Sequence, residues 1–209
     1  MEYFIKFFWI FMLGSFLGFL LESLWCVIRW RRVESRKGLL YGYFVPIYGI
    51  ASLFIVLVAE WFKIEKLYML FLVTFIICGI TEYFSSLFQE KVLGTISWDY
   101  SKFKFNLNGR INLIYLLGFS FLGVLWYKFY IYVFNLCDVF FNNSLVILIT
   151  IFAFIFMFLN CLISFFATYR QRKRRDGIDA KNSLEEWLDN RYTDEYLKKI
   201  YTNAVIVKE

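Results

Sequence analysis

Five apolar runs of membrane-crossing length constrain this chain more than any other feature. They cover about Phe4–Ile28, Leu40–Phe62, Leu67–Gln89, Ile111–Phe134 and Leu145–Tyr169. Backbone polar groups in hydrocarbon must pair within a helix or a closed barrel, and runs of about 20 residues suit helices, whereas barrel strands need only about ten. The expected fold class is all-α: a polytopic membrane helix bundle of about five transmembrane helices over residues 1–169, then a basic tail over 170–209. The content of 27 Phe, 15 Tyr and 7 Trp is more than a soluble domain can hide. The first run is too long and too aromatic for a cleaved signal peptide and lacks a small-residue cleavage site, so it reads as a mature helix.

Basic residues set the expected orientation. Arg29, Arg31, Arg32, Arg36 and Lys37 fill the first connection, Lys91, Lys102, Lys104 and Arg110 the third, and "RQRKRRD" (Arg170–Asp176) follows the last run. The other two connections, "KIEK" and "NLCDVFFNNS", are poorer in Lys and Arg. The positive-inside rule then places the amino terminus outside and the tail in the cytoplasm, which an odd number of spans satisfies. Within the tail, Ser183 and Glu186 form a capping-box pattern before "LEEWLDNRY", and Thr193 precedes "DEYLKKIY", so two short amphipathic helices are expected.

Several kinds of chemistry lack their residues. There is no histidine, the commonest general base and metal ligand. Cys26, Cys78, Cys137 and Cys161 are scattered without C-x-x-C spacing and read as small apolar residues. No metal site, cofactor or nucleic-acid partner is expected. The absence of G-x-x-x-x-G-K-[ST] means that any ATP hydrolysis by the phosphate-loop route requires a separate ATPase subunit.

Polar residues inside the apolar runs mark the candidate site. Gly14, Gly18, Glu22, Cys26 and Arg29 share one helical face of the first run, and Gly14-x-x-x-Gly18 is a surface for close helix approach, including self-association into a homo-oligomer. A carboxylate such as Glu22 is expensive in hydrocarbon and needs a partner, water or a proton. Cys78, Glu82, Ser85, Ser86 and Gln89 share a face of the third run, to be read as a hydrogen-bonded seam or as the wall of a cavity. In "LLYGYFVPIYG", Pro46 flanked by Gly42 and Gly49 predicts a kinked helix or a broken, re-entrant segment with Tyr48 lining a cavity. Glu82 comes about 15 residues into its run, on the order of 22 Å at helical rise. In the derived orientation, Glu22, Pro46 and Glu82 therefore all fall in the inner half of the membrane. Asp99, Asn106 and Arg110 lie on the connection beneath. Arg110 is expected either to pair with Asp99 or Glu82, or to hold a phosphate or carboxylate with the free amides of the next helix.

"KGLLYGYFVPIYG" (Lys37–Gly49), "EYFSSLFQE" (Glu82–Glu90) and "SWDYSKFKFNLNGRINL" (Ser97–Leu113), with "GSFLGFLLESLW" (Gly14–Trp25), resemble the bacterial family called putative ABC-transporter type IV, or CmpB-like ABC transporter permease. The resemblance covers about Phe8 to Gly123, and its W-D-Y-S and F-N-x-x-G-R-I motifs are the specific ones. Tyr43 stands where the family usually has proline, Val45 where it often has cysteine, and Ser97 in place of a first tryptophan. The resemblance implies a transport permease in the bacterial cytoplasmic membrane, working with a separate ATPase.

Three functions fit these residues. A permease component would bind a small polar solute or lipid headgroup among Glu22, Tyr48, Glu82, Ser86, Asp99, Asn106 and Arg110. A membrane-embedded enzyme acting on a lipid or isoprenoid phosphate would use Glu82 or Asp99 as base and Arg110 as phosphate holder, although no clustered aspartates for magnesium accompany them. A non-catalytic scaffold would recruit a partner through the tail helices and anionic lipid through "RQRKRR".

Overall fold

A computed structural model describes residues 2–140 and 143–207. The long helices are α1 (Glu2–Trp30), α3 (Leu67–Phe88), α4 (Leu113–Phe140) and α5 (Ser144–Arg175). Each is long and apolar enough to cross a membrane, α3 with the π-helical turn Gln89–Leu93 that prolongs it. The architecture is the expected all-α bundle.

The second apolar run departs from a continuous span. Its helix, α2 (Pro46–Trp61), has only 16 residues, about 24 Å at helical rise and short of a hydrocarbon core of about 30 Å. Pro46 starts this helix and does not kink it. Its ring fixes the dihedral a first turn needs, its missing N–H is one no helix would pair there, and Val45 before it is extended. Gly42 lies outside the helix with φ +74, and Gly49, one turn inside, does not loosen the turn but lies hard against α1.

What precedes Pro46 is irregular backbone folded into the bundle, with Leu39 and Leu40 buried. Such a segment needs hydrogen-bond partners from neighbouring helices. The Leu40 N–H donates to Ser164 Oγ at 2.9 Å, and the Tyr41 N–H to Asn160 Oδ1 at 3.1 Å. Asn160 Nδ2 returns a bond to the Tyr41 carbonyl at 2.7 Å, and the Val45 N–H donates to the Ser15 carbonyl of α1 at 2.9 Å. Asn160 and Ser164, polar residues within the apolar stretch of α5, therefore pair a loop.

Small residues decide how closely α1 and α2 approach. A Cβ on Gly14 would stand 2.6 Å from Ser52 Cβ, and one on Gly18 would stand 2.3 Å from Tyr48 Cγ. This glycine face, a candidate surface for self-association, is covered by α2 of the same chain. Ile10 and Val56 pack with Tyr130 and Val133 of α4, and Ala59, Leu70 and Val124 join α2, α3 and α4.

The tail folds back onto the bundle. It forms α6 (Ser183–Arg191), α7 (Asp194–Ile200) and strand β4 (Val205–Ile206), which pairs antiparallel with β1 (Thr95–Ile96) just after the π turn. Thr193 caps α7 as its pattern indicates, through the Tyr196 N–H at 3.3 Å. The α6 cap is Asn182 and not Ser183, accepting from the Glu185 N–H at 2.9 Å, while Glu185 accepts from the Lys181 N–H at 2.8 Å. Asparagine is at least as good an N-cap as serine, and its position one residue earlier decides the register. Leu188, Tyr192 and Leu197 bury against Leu40 and Ala167, and the Tyr41 and Tyr192 hydroxyls share a hydrogen bond of 2.9 Å. Leu184 and Trp187 of α6 stay exposed.

The basic run is the last part of α5, and most of it is consumed internally. Arg170, its side chain 3% exposed, grips Asp189 with two nitrogens at 3.1 and 2.5 Å. Arg174 joins Asp189 and Asp194, each at 2.5 Å, and Arg175 donates to the Leu93 carbonyl at 2.8 Å. Burial pushes the Asp189 carboxyl up, but the hydrogen bonds and charges of Arg170 and Arg174 outweigh it and hold it below the ordinary aspartate value. A depressed carboxyl stabilises the docked tail at all pH above the ordinary aspartate range, and that contribution fades as pH falls through the lowered value. Asp189→Asn should leave buried Arg170 short of charge, a loss of about 3 kcal/mol in tail docking at neutral pH. Faster proteolysis within residues 177–207 would report it, and an unchanged cleavage rate would refute the role.

Candidate functional site

The close approach of α1 and α2 brings Tyr48 over Gly18, and its hydroxyl donates to Glu22 Oε1 at 2.7 Å. A second carboxylate arrives from α3. Glu82 is 7% exposed and accepts at Oε1 from the Tyr100 hydroxyl at 3.1 Å. Its other oxygen, Oε2, is buried with no hydrogen-bond partner among the described residues. Glu22 and Glu82 are two like-charged side chains of one cluster, with Tyr48 and Tyr100 as their hydroxyl partners. Four segments thus bring together two acids and two phenols: α1, α2, α3 and the connection from α3 to α4.

That connection is folded, and its fold holds Tyr100 in place. Strands β2 (Asn106–Leu107) and β3 (Ile111–Asn112) form a hairpin around Asn108 and Gly109, both with positive φ. The Tyr100 N–H donates to the Gly109 carbonyl at 2.8 Å, and the Trp98 indole N–H to the Arg110 carbonyl at 2.9 Å. A Cβ on Gly109 would lie 2.9 Å from Asp99 Oδ1, so only glycine suits both the dihedral and the space. Tyr100 stacks on Tyr115 of α4 with ring centroids 5.1 Å apart. Burial first, then the charge and hydrogen bond of Glu82, hold the Tyr100 hydroxyl well above the ordinary phenol value, so it stays a donor.

The other expected site residues lie elsewhere. Arg110 does not pair with Asp99 or Glu82. It meets Glu90 at 2.5 Å, donates to Ser86 Oγ at 3.3 Å and lies over the Tyr83 ring. Asp99 is taken up by its own turn, accepting from the Ser101 N–H at 2.8 Å and the Ser101 hydroxyl at 3.0 Å. Asn106 shapes the hairpin, accepting from the Gly109 N–H at 2.8 Å and donating to the Phe103 carbonyl at 2.7 Å. Nor do the first amides of α4 await an anion beside Arg110, because Asn112 Oδ1 accepts from the Ile114 N–H at 3.0 Å. Glu22, Tyr48 and Glu82 therefore converge. Ser86 and Arg110 form an adjoining bridge, while Asp99 and Asn106 build the support.

Sequence reasoning missed Tyr100, Glu90 and Asn112. Tyr100 carried a usable signal, as a phenol two residues after Trp98 in a polar connection. The partnership of Glu90 with Arg110 needs the hairpin, which no helical periodicity reveals. Among the described residues no group of three or more His, Cys, Asp or Glu stands together as a metal site would require.

The family model described as Putative ABC-transporter type IV matches residues 9–165. The chain belongs to this family. The match runs from within α1 to within α5 and includes every residue of the two-acid, two-phenol centre, so it extends well past Gly123. No curated protein and no solved structure matches the chain.

Proposed function

We propose that this member of the ABC-transporter type IV family is the membrane permease component of a transport system, with a solute site at the Glu22–Tyr48–Glu82–Tyr100 centre. The single observation that carries the reading is the meeting of two carboxylates, each held by a phenol from a different segment. Two acids with no free cation beside them among the described residues favour a cationic or hydroxyl-bearing solute over a phosphate or an anionic headgroup. The clustering of basic residues in the first and third connections supports the centre lying in the cytoplasmic half, in a bacterial cytoplasmic membrane, with the amino terminus outside. Energy would come from a separate ATPase. Any homo-oligomer would use a face other than Gly14 and Gly18.

The enzyme reading loses its phosphate holder, because Arg110 is committed to Glu90 and the α4 amides to Asn112. Reconstitution into proteoliposomes, alone and with candidate ATPase subunits plus ATP, tests the proposal. A quaternary ammonium, an amino acid, a sugar and inorganic phosphate serve as labelled probes. Uptake of a cationic or neutral probe is expected; no uptake in either preparation, or uptake of phosphate alone, would contradict it.

A further inference from the structure

We propose that Glu82 is a proton-binding site, occupied by a proton when the centre is closed and exchanging it through Tyr100 with the aqueous side of the connection. The inference rests on the proposed transport site only for its role in coupling; the proton site itself stands on the surroundings of Glu82. Glu82 is only 7% exposed, and one of its oxygens has no hydrogen-bond donor among the described residues. An ionised carboxylate in apolar surroundings needs a cation or several donors, and Glu82 has one donor, the Tyr100 hydroxyl at 3.1 Å.

Among the described residues, the groups facing Glu82 supply no cation. From α1 comes Glu22, of like charge, and from α2 comes Tyr48, whose hydroxyl is spent on Glu22. On α3 itself, Cys78 directs its thiol to the Phe119 carbonyl at 3.9 Å, and Ser86 accepts from Arg110. Arg110 on the connection is committed to Glu90 at 2.5 Å. From α4, Tyr115 stacks on Tyr100 and presents an aromatic face. One proton satisfies this set: Glu82 becomes a neutral acid, and Glu22 keeps its hydrogen bond from Tyr48. The step is balanced simply, with hydronium giving its proton to the Glu82 carboxylate and leaving water. Tyr100, the hydrogen-bond donor to Glu82, sits between exposed Asp99 and Ser101 in the chain, which makes the connection the exchange route.

Infrared spectroscopy of the full chain in lipid nanodiscs, titrated across neutrality, tests this directly. The expected result is a carbonyl-stretch band of a protonated carboxyl at neutral pH that disappears on alkalinisation and is missing in Glu82→Gln. In Glu22→Gln the band should persist but titrate at lower pH, because removing a like charge favours the ionised form. Tyr100→Phe removes a donor to the ionised form, so its band should titrate at higher pH; this variant decides the matter if Glu82→Gln fails to fold. No protonated band in the wild type, a band that survives Glu82→Gln, or a titration unmoved in Tyr100→Phe would each overturn the proposal. A titrating band without solute uptake would defeat the transport reading and leave the proton site; uptake without the band would do the reverse.

Discussion

Asn160→Leu is expected to destabilise the protein by about 2–6 kcal/mol, because it strands both backbone groups of Tyr41 inside the bundle at about 1–3 kcal/mol each. Asn160 pairs with both the N–H and the carbonyl of Tyr41, so leucine of similar volume removes the donors and acceptors while keeping the packing. Ser164→Ala strands only the Leu40 N–H and should cost about 1–3 kcal/mol. Amide hydrogen exchange distinguishes this account from a general loss of packing. Protection should fall first at Leu40 and Tyr41 and only later along α2. Because Tyr48 lies two residues past Pro46, release of this loop also loosens the Tyr48–Glu22 contact. Uniform loss of protection throughout the bundle would mean that Asn160 holds no particular loop.

A second large effect belongs to Gly49. A Cβ there would lie 2.1 Å from Ser15 Oγ and 2.6 Å from the Phe11 carbonyl oxygen. A side chain could turn away, but a backbone carbonyl inside a helix cannot, so Gly49→Ala must push α1 and α2 apart. Overpacking of this kind costs about 1–3 kcal/mol, and here it also draws Tyr48 away from Glu22. Gly118→Ala is the natural comparison, since nothing lies within 4 Å of the added Cβ, and alanine gains about 1 kcal/mol of helix propensity over glycine. Equilibrium unfolding of the two variants should therefore move in opposite directions. Equal stability for both would show that the glycine contact between α1 and α2 is not tight.

Sequence and structure diverge most at Pro46. Composition and run length made the bundle legible, since helices are the economical way to pair a backbone in hydrocarbon. Run length alone could not distinguish a span from an irregular loop followed by a short helix, because Leu39 and Leu40 are as apolar in a loop as in a helix. The distinguishing partners, Asn160 and Ser164, lie more than a hundred positions away. Glu22, Tyr48 and Glu82 could be grouped because burying a carboxylate is costly whatever the tertiary fold. The fate of Arg110 was not legible. It depends on a hairpin of two-residue strands, with left-handed backbone at Asn108 and Gly109 turning the guanidinium towards Glu90. The basic run shows the same limit: its charge suits topology and lipid, and only the folded tail reveals that Asp189 and Asp194 already take two of its arginines.

In the proposed function, α1, α2, α3 and the connection build one polar centre that handles solute. Solute flux through folded Glu22→Gln, Glu82→Gln and the double variant tests it most directly. If the two acids act as a unit, each single change should lower flux about tenfold or more, and the double variant should lose little beyond the worse single. Wild-type flux in folded Glu82→Gln, or losses that simply multiply in the double variant, would contradict a single shared site.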